Sequence, residues 1–248
     1  MSVESIAFVA AVFLLAGWVK GVVGMGLPTV AMGALGLVMP PVQAAALLVV
    51  PSLVTNVWQF VTGPAKALVL RRLALMMVFV CLGTALGIPF LTSASTRWPA
   101  VALGAVLAVY ALLAFLLPRF TVPARAEPAL SPVIGAITGV LTGATGVFVV
   151  PAVPYLSALG LSRDELVQAL GLSFTVSTVA LALALGWRSS LDASTLFASL
   201  LALLPALLGM ALGQRTRGRI DPVAFRRAFL LAMFALGSYM VARGLLSP

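Results

Sequence analysis

The chain has 248 residues, 62% hydrophobic and 8% charged, with a mean hydropathy of +1.18. An ordinary soluble domain is about 25% charged, so this composition cannot cover a water-facing surface, and the chain reads as an all-α integral membrane protein. Its net charge of +9 sits in basic residues between apolar runs with no aromatic–basic alternation, which argues for positive loops beside a bilayer and against nucleic acid. Cys81 alone excludes an internal disulfide or thiol relay, and with no His a zinc or haem site is disfavoured, so no metal or cofactor is expected.

The N-terminus, MSVESIAFVAAVFLLAGWVK, carries Glu4 and no positive leader, and is read as a retained first helix. Spans are predicted over Val3–Val19, Pro41–Val61, Leu73–Leu91, Pro99–Leu117, Pro132–Val147, Glu165–Trp187, Ser194–Gly213 and Pro222–Arg243. Two shorter apolar pieces, Pro28–Met39 and Val149–Leu159, reach only ~16–18 Å against a hydrocarbon core of ~30 Å. They are expected to be half-helices or re-entrant segments. Each follows a glycine cluster, within Lys20–Gly36 and Thr142–Gly160 respectively.

The halves repeat. Gly83-Thr84-Ala85-Leu86-Gly87 returns as Gly209-Met210-Ala211-Leu212-Gly213, Gln43-Ala44 as Gln168-Ala169, Pro28 as Pro151, and Gly24 is paired with Gly143. The predicted division is a first repeat over 1–122, a linker over 123–131 and a second repeat over 132–248, each repeat holding four long helices and one short broken segment. If the short segments cross, each half has an odd number of crossings and the second half is inverted. With the N-terminus outside, Lys20, Lys66, Arg71, Arg72, Arg119, Arg125, Arg163, Arg215, Arg217, Arg219, Arg226 and Arg227 fall inside. Arg97, Arg188 and Arg243 fall outside. If the short segments do not cross, this asymmetry disappears, so the positive-inside rule favours an inverted repeat with both termini outside.

Broken backbone at membrane depth persists only where protein or a watery cavity surrounds it, and paired breaks mark transporter binding sites. A helix starting at mid-membrane turns unpaired N–H groups and partial positive charge toward its N-terminus, and glycine lets a ligand approach the backbone. Gly24, Gly26, Thr142, Gly143, Thr145 and Gly146 are therefore candidate substrate-binding positions. Thr29, Ser52, Asn56, Ser173 and Ser177 would complete the site, with Thr55, Gln59, Thr175 and Thr178 beside them. Ser52, Thr55, Asn56 and Gln59 share one helix face. The competing reading of the glycines is close helix packing, and of each hydroxyl an interhelical hydrogen bond. Lys20 is expected to snorkel at the cytoplasmic interface rather than to hold an anion. Ser162 is expected to cap the helix that opens with Arg163, Asp164 and Glu165. No acidic residue lies mid-span to serve a proton relay.

The stretch GVLTGATGVFVVPAVPYLSALGLSRDELVQALGLSF resembles the sulfite exporter TauE/SafE family, the toluene-sulfonate uptake permease type, in its glycine-rich loop, V-P segment and following helix. GWVKGVVGMGLPTVAMGALGLVMPPVQAAALLVVPSLVTN is a looser copy, with Leu27 and Pro28 directly after Gly26. The resemblance implies transport of sulfite or organosulfur anions such as sulfonates across a bacterial inner membrane.

The expectation is a multi-pass secondary transporter, an exporter working by alternating access. Its two amide-rich tips would meet near mid-membrane and hold a small anion without a metal or a buried cation. Its partners are the anion and the lipid bilayer, with room for a homodimer. The rivals are a carriage of another small anion of carboxylate type, a cation transporter, a membrane assembly or redox-maturation factor, and an intramembrane enzyme. The last would want His, paired carboxylates or an activated Ser, so no enzyme is expected.

Overall fold

The computed structural model describes residues 3–93, 95, 97–116 and 120–246. Arg119 and Leu117, named above in a loop and a span, lie outside them. In hydrocarbon a backbone must pair its own polar groups, and the described chain is helical throughout: α1 Val3–Val23, α2 Leu27–Leu35, α3 Pro41–Thr62, α4 Lys66–Leu91, α5 Arg97–Leu116, α6 Glu127–Thr145, α7 Ala152–Ser157, α8 Arg163–Trp187, α9 Ala193–Thr216, a 3₁₀ turn Arg217–Arg219, and α10 Pro222–Leu246. Eight of these are long and apolar enough to span a membrane. The other two, α2 and α7, are the predicted short segments, trimmed to 9 and 6 residues. The second is entered through a cis Val150–Pro151 bond.

The helix ends follow local chemistry. Helix α1 runs past Val19 until Gly24, whose φ of +80° leaves the helical region. Helix α6 starts at Glu127, inside the predicted linker, because Pro128 sits in the first turn where an N–H has no intrahelical partner. At α8 the Ser162 hydroxyl accepts from Glu165 N while the Glu165 carboxylate accepts from Ser162 N, a reciprocal capping box. Helix α4 extends below Leu73 because Arg72 is neutralised there: it forms a two-pronged pair with Glu127 at 2.8 Å and donates to Leu159 O.

The helices pack in matched pairs. Helix α4 lies on α6 and α1 on α9; α3 lies on α8 and α5 on α10; α4 also touches α8, and α3 touches α9. Exchanging the first five helices with the last five in order maps this pattern onto itself. The first two contacts are glycine seams. A Cβ on Gly87 would stand 2.2 Å from Val140 O, and one on Gly143 2.3 Å from Thr84 O. In the other seam Gly213 meets Trp18 O at 2.2 Å and Gly21 meets Met210 O at 2.3 Å. The repeated glycines of α4 and α9 therefore serve close helix approach.

The seams also set the register between the halves. Gly21 occupies in α1 the place of Gly143 in α6. Three residues on, Gly24 matches Gly146: both have positive φ, and their N–H groups close on Lys20 O at 2.7 Å and Thr142 O at 2.8 Å. The pairing of Gly24 with Gly143 expected from sequence is thus three residues out of step. By the same packing match, Thr142 stands in α6 where Lys20 stands in α1.

Contacts between helix ends sort the chain into two poles. At one, Arg72 meets Glu127 and Leu159, Gln168 bonds Phe60 O, Gly63 O and Ala65 N, Trp18 meets Thr216, and Arg226 donates to Ala114 O. At the other, Arg97 donates to Gly244 O and Arg243 to Leu37 O. The core between the poles holds Phe13, Met32, Leu48, Phe148 and Phe174, while Leu86, Leu183 and Leu204 stand on outer faces.

Candidate functional site

The interior holds a basic side chain that sequence reasoning misplaced. Lys20 does not snorkel to the interface; it is 3% exposed, and its Nζ donates to Asn56 Oδ1. Asn56 Nδ2 donates to Ser52 Oγ at 2.9 Å, and Ser52 Oγ lies 3.1 Å from Thr178 Oγ1. Thr178 Oγ1 reaches Phe174 O at 2.7 Å. A chain of side chains thus runs from α1 through α3 to α8. Among the described residues the one ion pair is Arg72–Glu127, so Lys20 has a neutral partner and no carboxylate. An ammonium has three donors, and Asn56 takes one.

Lys20 is inward-facing because it continues the stripe Val9, Phe13, Ala16, Lys20, all buried and spaced four, three and four residues apart. That spacing is the signal by which it was findable. Helix α3 presents its polar face where its own ladder is interrupted. Pro51 has no N–H and leaves Leu47 O free; the Ser199 hydroxyl of α9 donates to that oxygen at 2.8 Å and accepts from Val50 N at 3.0 Å. Thr55 donates to Pro51 O.

Among the described residues four buried hydroxyls have no partner: Thr29 in the first turn of α2, Thr138 in α6, and Ser173 and Ser177 one turn apart in α8. Leaving a buried donor unmet is unfavourable by about 1–3 kcal/mol, so such groups call for water or a ligand. Ser177 adjoins Thr178 of the side-chain chain, and α2 packs between α1 and α3.

The other sequence-predicted positions separate by role. Gly26 caps α2 with φ +102°, and a Cβ there would meet Val19 Cγ1 at 2.9 Å. Gly24 has open space around its α-carbon. Gly146 ends α6 with φ +73° and would touch Met32 Cε at 2.8 Å and Ala45 Cβ at 3.2 Å. Gly143 is occupied by the α4 seam. Thr142 and Thr145 satisfy their hydroxyls within α6, on Thr138 O and Leu141 O, and Thr145 also accepts from Val147 N across the break. Thr175 bonds Gly171 O, and Gln59 donates to Val167 O near the pole. The two breaks approach differently from the tip-to-tip arrangement expected: Gly146 lands on the flank of α2, while α7 packs on α6 and α8. A six-residue α7 is too short to present a helix terminus of much dipole, and the polar centre is made of side chains, with a buried cation among them.

Several cavities open at the poles, and two of them flank α1. One of about 790 Å³ lies between the start of α1 (Glu4, Phe8), the loop before α3 (Met39, Gln43) and the start of α9 (Ser194, Thr195). The other, about 310 Å³, lies under the first break and is lined by Val22, Met25, Tyr110, Arg163, Arg217 and Arg226. Lys20 is about one helical turn from its wall at Val23. Among the described residues no group of three or more His, Cys, Asp or Glu gathers to hold a metal.

The family model described as Sulfite exporter TauE/SafE matches residues 9–240 of the chain. No curated protein and no solved structure matches it. The match takes in both breaks, the Lys20–Asn56–Ser52–Thr178 chain, eight of the ten helices in full and most of α1 and α10. This multi-pass membrane transporter belongs to the sulfite exporter TauE/SafE family.

Proposed function

We propose that the chain is a secondary transporter that exports a small organosulfur anion, sulfite or a sulfonate, by alternating access across a bacterial inner membrane. The observation that carries the reading is Lys20: a lone basic side chain in the interior, tied to a neutral amide and linked through Asn56 and Ser52 to Thr178 of α8, the helix that holds the partnerless hydroxyls of Ser173 and Ser177. Burying such a charge unpaired is unfavourable by several kcal/mol. An anion accepting from Lys20 and from hydroxyls such as Ser173, Ser177 and Thr29 relieves both deficits. At about 4 Å and an effective dielectric constant near 20, the ion–ion attraction is on the order of 4 kcal/mol.

The second half is the first in inverted orientation. Supporting this are the exchange-symmetric packing, the shared positive φ of Gly24 and Gly146, and the meeting of Arg72 with Glu127 at one pole and of Arg97 with Gly244 at the other. Both termini lie outside, at the pole poor in basic residues. The two cavities are then the outer and inner mouths, and rocking of one repeat against the other exposes Lys20 to each in turn. The glycines at the breaks hold the backbone turns beside the site rather than lining it as a pair of tips.

Counterflow in proteoliposomes tests the proposal, with sulfite and methanesulfonate as substrates and acetate as carboxylate control. Uptake of a sulfur oxyanion driven by internal unlabelled anion is expected; equal exchange by empty vesicles overturns the proposal. Preference for acetate would identify the carboxylate-type carrier instead.

A further inference from the structure

The described interior contains fifteen buried polar or charged side chains, and Lys20 is the one with a basic side chain. The repeat supplies no second cation: the counterpart Thr142 is neutral and donates to Thr138 O. Asn56 sets no charge of its own; its amide is oriented by Ser52, which takes the Nδ2 proton and leaves Oδ1 for Lys20. The arginines nearest the inner mouth, Arg163, Arg217 and Arg226, are exposed and solvated at the pole.

We infer, resting on the transport reading above, that Lys20 restricts the carried species to one negative charge: a sulfonate or hydrogensulfite, with sulfite and sulfate dianions rejected. With a monoanion the loaded site is electrically neutral and crosses the membrane interior as a paired ammonium. With a dianion it retains one uncompensated negative charge among Leu, Phe and Met side chains, which a low-dielectric interior strongly disfavours. The neutral hydroxyls of Ser173, Ser177 and Thr29 stabilise oxygens of either species and give the dianion no compensating charge. Lys20 is in this sense the specificity-determining residue of the site.

The test uses a matched pair of tetrahedral oxyanions, methyl sulfate and sulfate, with methanesulfonate as a second monoanion, at constant pH and ionic strength. Binding to the full-length protein in detergent is measured by calorimetry, and counterflow in proteoliposomes. Both monoanions are expected to bind and exchange, with sulfate on the order of a hundredfold weaker. Lys20→Gln is expected to lose monoanion binding by a similar factor, and Lys20→Arg to retain the preference for single charge. Sulfate binding within a few-fold of methyl sulfate in the wild-type protein overturns the inference, as does undiminished binding by folded Lys20→Gln. The wild-type comparison decides the matter even where Lys20→Gln does not fold. The two readings fail separately. Counterflow of sulfate as fast as methyl sulfate overturns the charge rule and leaves the transporter standing, whereas no counterflow of any of the three overturns the transporter and the rule with it.

Discussion

Replacing Gly139 by alanine places a methyl group in the α4–α6 seam. The new carbon would lie 2.2 Å from Val80 O, 2.8 Å from Thr84 N and 2.9 Å from Gly83 Cα. All three are backbone atoms of a packed helix, so no side chain can swing aside. Comfortable non-bonded separations for carbon are about 3.5–4.0 Å, so the helices must part by roughly 1 Å along a seam that Gly83, Gly87 and Gly143 share. Overpacking is typically unfavourable by about 1–3 kcal/mol, and rigid neighbours place this change at the upper end. At about 2–4 °C per kcal/mol for a chain of this size, Tm should fall by about 6–12 °C. Gly186 is the control: it lies exposed near the end of α8 with nothing within 4 Å of an added Cβ. There alanine gains up to about 1 kcal/mol in helix propensity, and Tm should hold or rise. Thermal unfolding of the two variants in one detergent measures the difference. Equal Tm values for Gly139→Ala and Gly186→Ala would refute the close seam, and with it the register that matches Lys20 to Thr142.

Asn56→Leu strands Lys20 without its amide and should destabilise by about 2–4 kcal/mol, while Lys20→Met added to it should recover part of that loss; additive losses in chemical unfolding would contradict the pairing. Arg72→Ala breaks a partly solvated pair, with side chains 31% and 12% exposed, and should be unfavourable by about 1 kcal/mol or less, with the effect shrinking in high salt. Asp192 caps α9, and hydrogen bonds from Thr195 and then Ser194 hold its carboxyl below the usual carboxylate range. Its contribution is therefore complete above the unfolded value of about 3.9 and fades as pH falls through the lower folded value. Asp192→Asn should flatten that acid limb of the Tm profile. Single cysteines at Gly218 and Ser190, in a chain with Cys81→Ser, should react with an impermeant thiol reagent from opposite faces of the membrane; labelling of both from one face would contradict the inverted arrangement.

The eight long helices were legible because hydrocarbon demands runs of apolar residues, and the two short ones because glycine and proline interrupt such runs. Helix ends were less so: Lys66–Arg72 reads as loop until Arg72 finds Glu127, a partner 55 residues away. Facing was hardest. In a membrane helix the lipid side is as apolar as the core, so Leu14 and Leu15 outside and Phe13 and Ala16 inside look alike, and the inward phase of Lys20 shows only once the Val9–Phe13–Ala16 stripe is known to face the core. The glycines were legible as important, but the seam and the binding site ask for the same residue. Only the distances separate Gly143, pressed against α4, from Gly24, with open space around it. Of the polar face expected on α3, Ser52, Thr55 and Asn56 are buried and Ser52 meets Thr178 of α8, whereas Gln59 is half-buried and bonds Val167 O.

Transport as proposed depends on buried Lys20 holding an anion in transit. The most direct measurement is counterflow of a labelled sulfonate by wild-type and Lys20→Gln protein, reconstituted at equal density and shown to be folded. The account predicts exchange by the wild type and none above empty vesicles by the variant. Equal exchange by both would contradict it.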